Sequence, residues 1–540
     1  MKINYKWLLL LAFGFIACDS DDDMSSEGPD AVMLTSGEAD FSTYVAVGSS
    51  LSAGYSDGAL FIASQINSFP NILASKFQMA GGGAFTQPLM GDNLGGMLVG
   101  GNQLLENRLF FNGELPERLP GTPTTEATNV MPGPYNNMGI TGAKIFHLGV
   151  EGYGSSAALS VGAANPYYVR MASSPGASVI GDALSLAPTF FTLWAGSDDV
   201  LSYAVSGGIG EDQAGNFNPE TYGSNDITDP AVFSQAFSGI LTLLMSNGAK
   251  GVVANIPDVT ALPYFTTVPH APLDPTNEDF GPQIPLLNTI FGALNQIFVA
   301  LGEGERAVVF SETSASPVVI KDESLTDISA QIEAALNASE TFPQFIAQFG
   351  LPPEAAPGVA NLLGLMYGQS RQATEADLLV LTSSSVIGEV NTAAVQFLIS
   401  RGLSQELAAQ FSVEGITYPL DDGWVLLPSE QNEIKTATTA FNTTIESLAS
   451  QNGLAFVDAH ALMNEVASGG LPFDEFTLNS SLVFGNTFSL DGVHPTARGY
   501  AFIANQFMLA IDAAYGSNFE EAGVLAKAGD YGTMYPVELP

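Results

Sequence analysis

Apolar runs too short for helices alternate along this chain with segments of helical period, and that alternation restricts the fold more than any other feature. The strand-length runs fall at residues 44–47, 190–195, 251–255, 378–382 and 454–457. Helical patterns fall at 230–245, 286–301, 433–450 and 496–514. Asp229 stands where a helix cap belongs, with Pro230 at the first helical position. Strand followed by helix at this spacing predicts an α/β fold, a parallel sheet covered on both faces. Ligand sites in such sheets lie at the carboxyl ends of the strands. That directs attention to Ser50, just beyond the first run, and to the segment after Ala195.

A chain of 540 residues is long for one domain, so elaborations are expected. Residues 80–134 are rich in Gly, Pro and Asn and read as long surface loops. Residues 257–374 mix Pro-rich loops with apolar pieces. They read first as a helical insertion whose apolar face packs on the core, and second as a lid or acyl-chain pocket. With 56 acidic and 15 basic side chains the formal charge is −41. That balance excludes a nucleic-acid partner and electrostatic docking to anionic lipid, both of which require Lys and Arg.

The N-terminus carries an address. Lys2 and Lys6 precede an apolar stretch, residues 8–17, that is too short for a stable membrane span. Cys18, the only cysteine, follows at once, so no internal disulfide is possible. Phe15-Ile16-Ala17-Cys18 resembles a bacterial lipobox, with Phe15 in place of the usual Leu-like residue. The resemblance implies a signal peptide over 1–17, lipidation of Cys18 and anchoring to the outer membrane of a bacterial cell envelope, facing the periplasm or the exterior. An ordinary secretory signal with an incidental cysteine is the alternative. Residues 18–40 are acidic and polar and read as a disordered tether; acidic residues after the cysteine also resemble surface-export signals. No other apolar run is expected to span a membrane.

The chemistry centres on two short segments at opposite ends of the chain. Ser50 ends Gly48-Ser49-Ser50, and a serine hydroxyl needs a base within reach to act as a nucleophile. His494, in Asp491-Gly492-Val493-His494-Pro495, can take and return a proton near neutral pH. Asp491 can accept from the far ring nitrogen and fix the tautomer; Asp-x-x-His also arises as a simple cap or ion pair. Only four histidines exist. His147, shortly after residue 142, reads first as a structural histidine and second as one that reaches the substrate; His270 lies in a Pro-rich loop and His460 at a strand end, neither in a zinc-like cluster, so no metal is expected. Trp194 reads as core. The Gly-rich stretch 80–101 lacks a phosphate-loop Lys and Ser/Thr, so nucleotide binding is not expected.

These residues resemble the SGNH or GDSL hydrolases. Gly48-Ser49-Ser50-Leu51 is similar to the first block, with Ser50 as nucleophile and Ser49 where the family usually has aspartate. Asn137-Met138-Gly139-Ile140-Thr141-Gly142 is similar to the second, placing Gly142 in the oxyanion hole. Asp491-Gly492-Val493-His494 resembles the last block and completes a Ser50, His494, Asp491 triad. The resemblance implies a three-layer α/β/α sandwich with a five-stranded parallel sheet over 41–515, followed by a C-terminal extension over 516–540. It also implies hydrolysis of esters or thioesters, lipid or acylated glycan among them, without metal or organic cofactor.

The third block departs from the pattern. The family asparagine that donates to the oxyanion is replaced by Asp198 in Gly196-Ser197-Asp198-Asp199, and an ionised carboxylate only accepts. Three accounts follow: a protonated Asp198 donates, the Ser50 and Gly142 amides suffice, or the site binds without turnover. A literal Gly-x-Asn-Asp at Gly223-Ser224-Asn225-Asp226 lies in turn-like surroundings and is not expected to supply the amide. Two functional readings result, an esterase or acylhydrolase and a surface-anchored binding lipoprotein with a degenerate site.

Overall fold

Five strands form one wholly parallel sheet in the computed structural model, which describes residues 32–539. They are β1 (Tyr44–Gly48), β2 (Asn137–Gly139), β3 (Phe190–Trp194), β4 (Lys250–Ala254) and β5 (Ala455–Val457), in the spatial order β5-β4-β3-β1-β2. The helices that frame them are α1 (Ser50–Ala53), α2 (Phe69–Met79), α3 (Asp198–Val205), α4 (Pro230–Met245), α5 (Ile284–Leu301), α6 (Pro428–Asn452), α7 (Ala459–Ser468) and α8 (Ala497–Tyr515). The expected signal peptide, Cys18 and most of the expected tether lie outside the described residues.

β1 and β3 are buried at every position, which explains their continuous apolar sequences. Successive side chains point to opposite faces. Val45, Val47, Phe191 and Leu193 share one core with Phe237 and Ile240 of α4 and Phe441 of α6. Tyr44, Ala46 and Phe190 share another with Phe77 of α2 and Phe507 and Ile511 of α8. The cap of α4 is as expected: Asp229 accepts from Ala231 N at 2.8 Å and Val232 N at 3.0 Å. Removing such a cap costs about 1 kcal/mol.

Several expectations need correction. Residues 378–382 do not join the main sheet. Leu378–Leu379 pairs antiparallel with Val425–Leu426, and the chain then winds into a 3-10 turn over Leu381–Ser385. Ser384 and Ser385 hydroxyls donate back to the carbonyls of Leu381 and Thr382, which competes with extension. The fifth strand is instead β2, polar and Gly-containing.

The second insertion continues past Thr374 to about Leu427 and carries its own core, including Phe291, Phe298, Ile320, Ile332, Tyr367 and Leu427. Gly281–Leu301 is apolar enough to cross a membrane by length and composition, with mean hydropathy 1.6. Within it Ile284, Leu287, Phe291, Leu294 and Phe298 are buried in the insertion's core, so α5 has a packed face. The first insertion contains two short antiparallel hairpins, Met97–Val99 with Asn102–Leu105 and Leu109–Phe111 with Pro116–Arg118. Both flanks of the central domain are packed. Glu38 N donates to Tyr515 O at 2.8 Å, inside the expected tether. Phe519 and Ala528 are fully buried, and Arg108 donates to the carbonyls of Pro536 and Val537, so residues after 515 belong to the fold.

Candidate active site

β1 ends at Gly48, the chain turns at Ser49, and Ser50 opens α1 at 3% exposure. The first N–H groups of a helix have no intrahelical partner, so the Ser50 amide is a free donor by construction. α1 lies hard against β2: a Cβ on Gly139 would sit 2.3 Å from Ala53 N, which requires glycine there. Asn137 Nδ2 donates to Ser52 O at 2.9 Å and ties the two elements together.

The C-terminal block is a closed loop in which Ser489 N donates to His494 O at 2.7 Å. Asp491 accepts at Oδ1 from His494 N at 2.8 Å, Val493 N at 2.9 Å and the Ser489 hydroxyl at 3.1 Å. Its Oδ2 accepts from Gly58 N at 2.9 Å and lies 2.9 Å from His494 Nδ1. Burial pushes this carboxyl up, but the His494 charge, the ring hydrogen bond and the two loop amides outweigh it and hold it at about 2. An ionised Asp491 keeps the proton on Nδ1 and leaves Nε2 as the acceptor. Nε2 is buried without a hydrogen-bond partner, and His494 and Ser50 line the same cavity. The Tyr55 ring packs 4.6 Å from the imidazole.

A turn after α1 joins the two ends of the sequence. Besides the Gly58–Asp491 bond, which spans 433 positions, Asp57 N donates to Ser489 Oγ at 2.9 Å and Leu490 N donates to Asp57 Oδ1 at 3.0 Å. Ser56 Oγ donates to Pro495 O at 3.1 Å. Burial pushes Asp57 up to about 7, against the Leu490 amide. Asp57 is not among the residues expected at the site; the Asp57-Gly58 dipeptide, a turn signal beside the candidate nucleophile, is the one sequence clue to it.

Asp198 opens α3, just past β3, and is 9% exposed. Its carboxyl faces the Ser49 hydroxyl, with His494 and Lys144 within electrostatic reach. Asp198 Oδ2 and Ser49 Oγ are both buried and neither meets hydrogen-bond geometry. Burial raises the Asp198 pKa, opposed by Ser49, His494 and Lys144. Lys144, also missed, is buried and donates to Asp226 O. Asp199 accepts from Ile145 N at 2.8 Å and is pushed up to about 7 by burial. Gly142 sits in an exposed turn beyond β2, where Asn165 Nδ2 donates to Thr141 O at 2.8 Å. Among the described residues no hydrogen bond uses the Gly142 N–H. Ser50, Gly142 and Asp198 thus follow three neighbouring parallel strands, β1, β2 and β3.

The cavity shared by Ser50 and His494 has a volume of about 100 Å³. Trp194 is buried core, as expected, and also lines this cavity. Asn225 is elsewhere: its motif closes a turn in which Gly223 N donates to Asp226 Oδ2 at 2.7 Å. His147 stacks on Tyr153 with ring centroids 4.8 Å apart, accepts from Lys144 N, and is pushed down to about 4 by burial and Lys144. His270 accepts through its carbonyl from Val318 N. His460 donates its N–H to Asn255 Oδ1. Away from these groups Glu323, Asp422 and Glu430 place carboxylate oxygens within 4.8 Å of one another. There burial, with the neighbouring acids, pushes Glu430 up to about 9 while it caps α6 through Leu427 N.

No family model, curated protein or solved structure matches this chain. The chemistry of the site therefore rests on its own geometry.

Proposed function

We propose that this chain is a serine hydrolase of carboxylic esters, built as a three-layer α/β/α sandwich of the SGNH or GDSL type. One observation carries the reading: His494 has its Nδ1 engaged by a fully satisfied Asp491 and its Nε2 without a partner, and His494 lines the same cavity as Ser50. Unpaired buried nitrogens are rare, and this one is poised to accept a proton from a hydroxyl.

Ser50 Oγ attacks the ester carbonyl carbon as His494 Nε2 takes its proton. The C–O bond to the alcohol then breaks, and the imidazolium returns the proton to the leaving oxygen. Water, deprotonated by His494, attacks the acyl-Ser50 ester, the bond from the acyl carbon to Ser50 Oγ breaks, and His494 returns the proton to Oγ as the acid leaves. Asp491 stays ionised and balances the imidazolium. The Ser50 and Gly142 amides donate to the tetrahedral oxyanion, and Asp198 joins them as a neutral acid, a form its burial favours. The lipobox-like segment supports attachment at the bacterial envelope through Cys18.

Asp198 is also the observation that favours a second reading, a binding lipoprotein without turnover, because an ionised carboxylate there would repel the oxyanion. Hydrolysis of p-nitrophenyl butyrate by the purified protein decides between them. The expected result is turnover that falls about 10⁴-fold or more in Ser50→Ala and His494→Ala. Turnover unchanged in Ser50→Ala, or none in the parent protein at any pH from 5 to 10, overturns the hydrolase reading.

A further inference from the structure

The cavity at Ser50 continues away from the reacting groups. Its walls come from α7, through Leu462, Met463 and Val466, from α8, through Phe502 and Ile503, and from Trp194 at the end of β3. Besides Ser50 and His494, its polar lining is Ser197, Thr487 and Gln506. No Asp, Glu, Lys or Arg lines it, although the chain carries 56 acidic and 15 basic residues. A wall without charge in so acidic a protein accepts an uncharged apolar group and rejects an ionised one, which would lose its hydration without a partner.

Resting on the hydrolase reading, we infer that this cavity holds the acyl chain of the substrate, and that the preferred acyl group is a short, uncharged alkyl chain of about four to six carbons. The size follows from volume. A dry cavity of about 150 Å³ takes a six-carbon ring. The 100 Å³ found here therefore suits about four carbons beyond the ester carbonyl. The carbonyl lies between Ser50 and His494, the alkyl chain enters the space between α7 and α8, and the alcohol remains on the solvent side. Val466 stands two helical turns beyond Ala459, the first residue of α7, and contributes to the wall of the chain-binding space.

Each methylene that moves from water into such a space strengthens transition-state binding about fourfold. Two series test the inference. In the first, kcat/KM is measured for p-nitrophenyl esters of two to twelve carbons. It should rise about fourfold per carbon to a maximum at four to six and then fall, and a hemisuccinate should react at least about 100-fold more slowly than the butyrate. Val466→Phe should lower the hexanoate-to-acetate ratio about tenfold. Phe502→Ala should move the maximum to longer chains, so a poorly folding Val466→Phe does not decide the outcome alone.

In the second series, binding of n-alkanamides of two to ten carbons to Ser50→Ala protein is followed by calorimetry, which needs no turnover. Affinity should rise with length to the same limit. Turnover with a flat chain-length profile, or one that neither variant moves, overturns the acyl-chain assignment and leaves the hydrolase reading standing. Amide binding with the length limit but no hydrolysis of any ester does the reverse. Absence of both overturns both.

Discussion

Asp491 and Asp198 are both acids within electrostatic reach of His494, and their surroundings are opposite. Asp491 receives three backbone N–H groups, a hydroxyl and a ring nitrogen, and is held at about 2. Asp198 faces one hydroxyl that does not reach hydrogen-bond geometry, keeps a partnerless oxygen, and is raised. Donors rather than burial decide which carboxyl stays charged. The same site thereby holds one permanent anion, suited to supporting an imidazolium, and one acid that burial biases towards the neutral form, suited to donating. Loops supply the donors in the first case: residues 489–495 wrap their own amides around Asp491, and Gly58 adds one from the other end of the chain.

The largest expected effect comes from destroying the charged member. Asp491→Asn keeps the size but favours the wrong imidazole tautomer, so kcat should drop about 10⁴-fold in steady-state assays while the protein still folds. Retention of more than a tenth of the activity would mean that His494 does not depend on Asp491.

Replacing Asp198, the acid that burial biases towards the neutral form, acts in the other direction. A carboxyl donates only while protonated, so a donation from Asp198 to the oxyanion would disappear as pH rises through its raised pKa. An amide donates at every pH. Asp198→Asn should therefore raise kcat about 10- to 100-fold on the alkaline side and move the optimum upward. An unchanged pH–rate profile would place Asp198 away from the oxyanion.

Stability should separate the two kinds of acid as well. Asp491 is lowered from 3.8 to about 2, so the folded state binds this proton less readily than the unfolded chain. Its contribution is complete above about pH 4 and is lost as pH falls through 2, amounting to about 2 kcal/mol. Asp57, raised to about 7, behaves oppositely, with its contribution present below about pH 4 and lost as pH rises through 7. Urea melts from pH 2 to 9 should show Asp57→Asn gaining on the parent protein only towards alkaline pH.

The smallest effect concerns the seat of the C-terminal block. Gly492 has φ +72°, its carbonyl accepts a hydrogen bond from Tyr264 N at 3.0 Å, and a Cβ there would lie 2.9 Å from that nitrogen. Gly492→Ala should cost about 1–2 kcal/mol in thermal unfolding and a few-fold in activity, through the loop that carries both Asp491 and His494.

The sequence was most readable where one physical pattern dominated. β1, β3 and β4 are largely apolar runs in a sheet buried on both faces, and α4 announces itself with Asp229 and Pro230. β2 was illegible because its three residues, Asn137, Met138 and Gly139, are chosen for contact with α1 rather than for strand propensity. The run at 378–382 misled because apolarity alone does not separate a sheet strand from a turn whose serines bond backwards. Residue types and spacing singled out Ser50, Asp491 and His494, and the structure puts Ser50 and His494 on one cavity with Asp491 against the His494 ring. Asp57 and Lys144 escaped because their roles come from partners far away in sequence, Leu490 for one and Asp226 for the other.

Fluorophosphonate labelling followed by peptide mass mapping decides whether Ser50 is an activated nucleophile, because the probe reacts only with a serine that a neighbouring base has activated. One adduct is expected, on Ser50, absent in Ser50→Ala and strongly slowed in His494→Ala. An adduct on another serine, or none in a folded protein between pH 6 and 9, would contradict it.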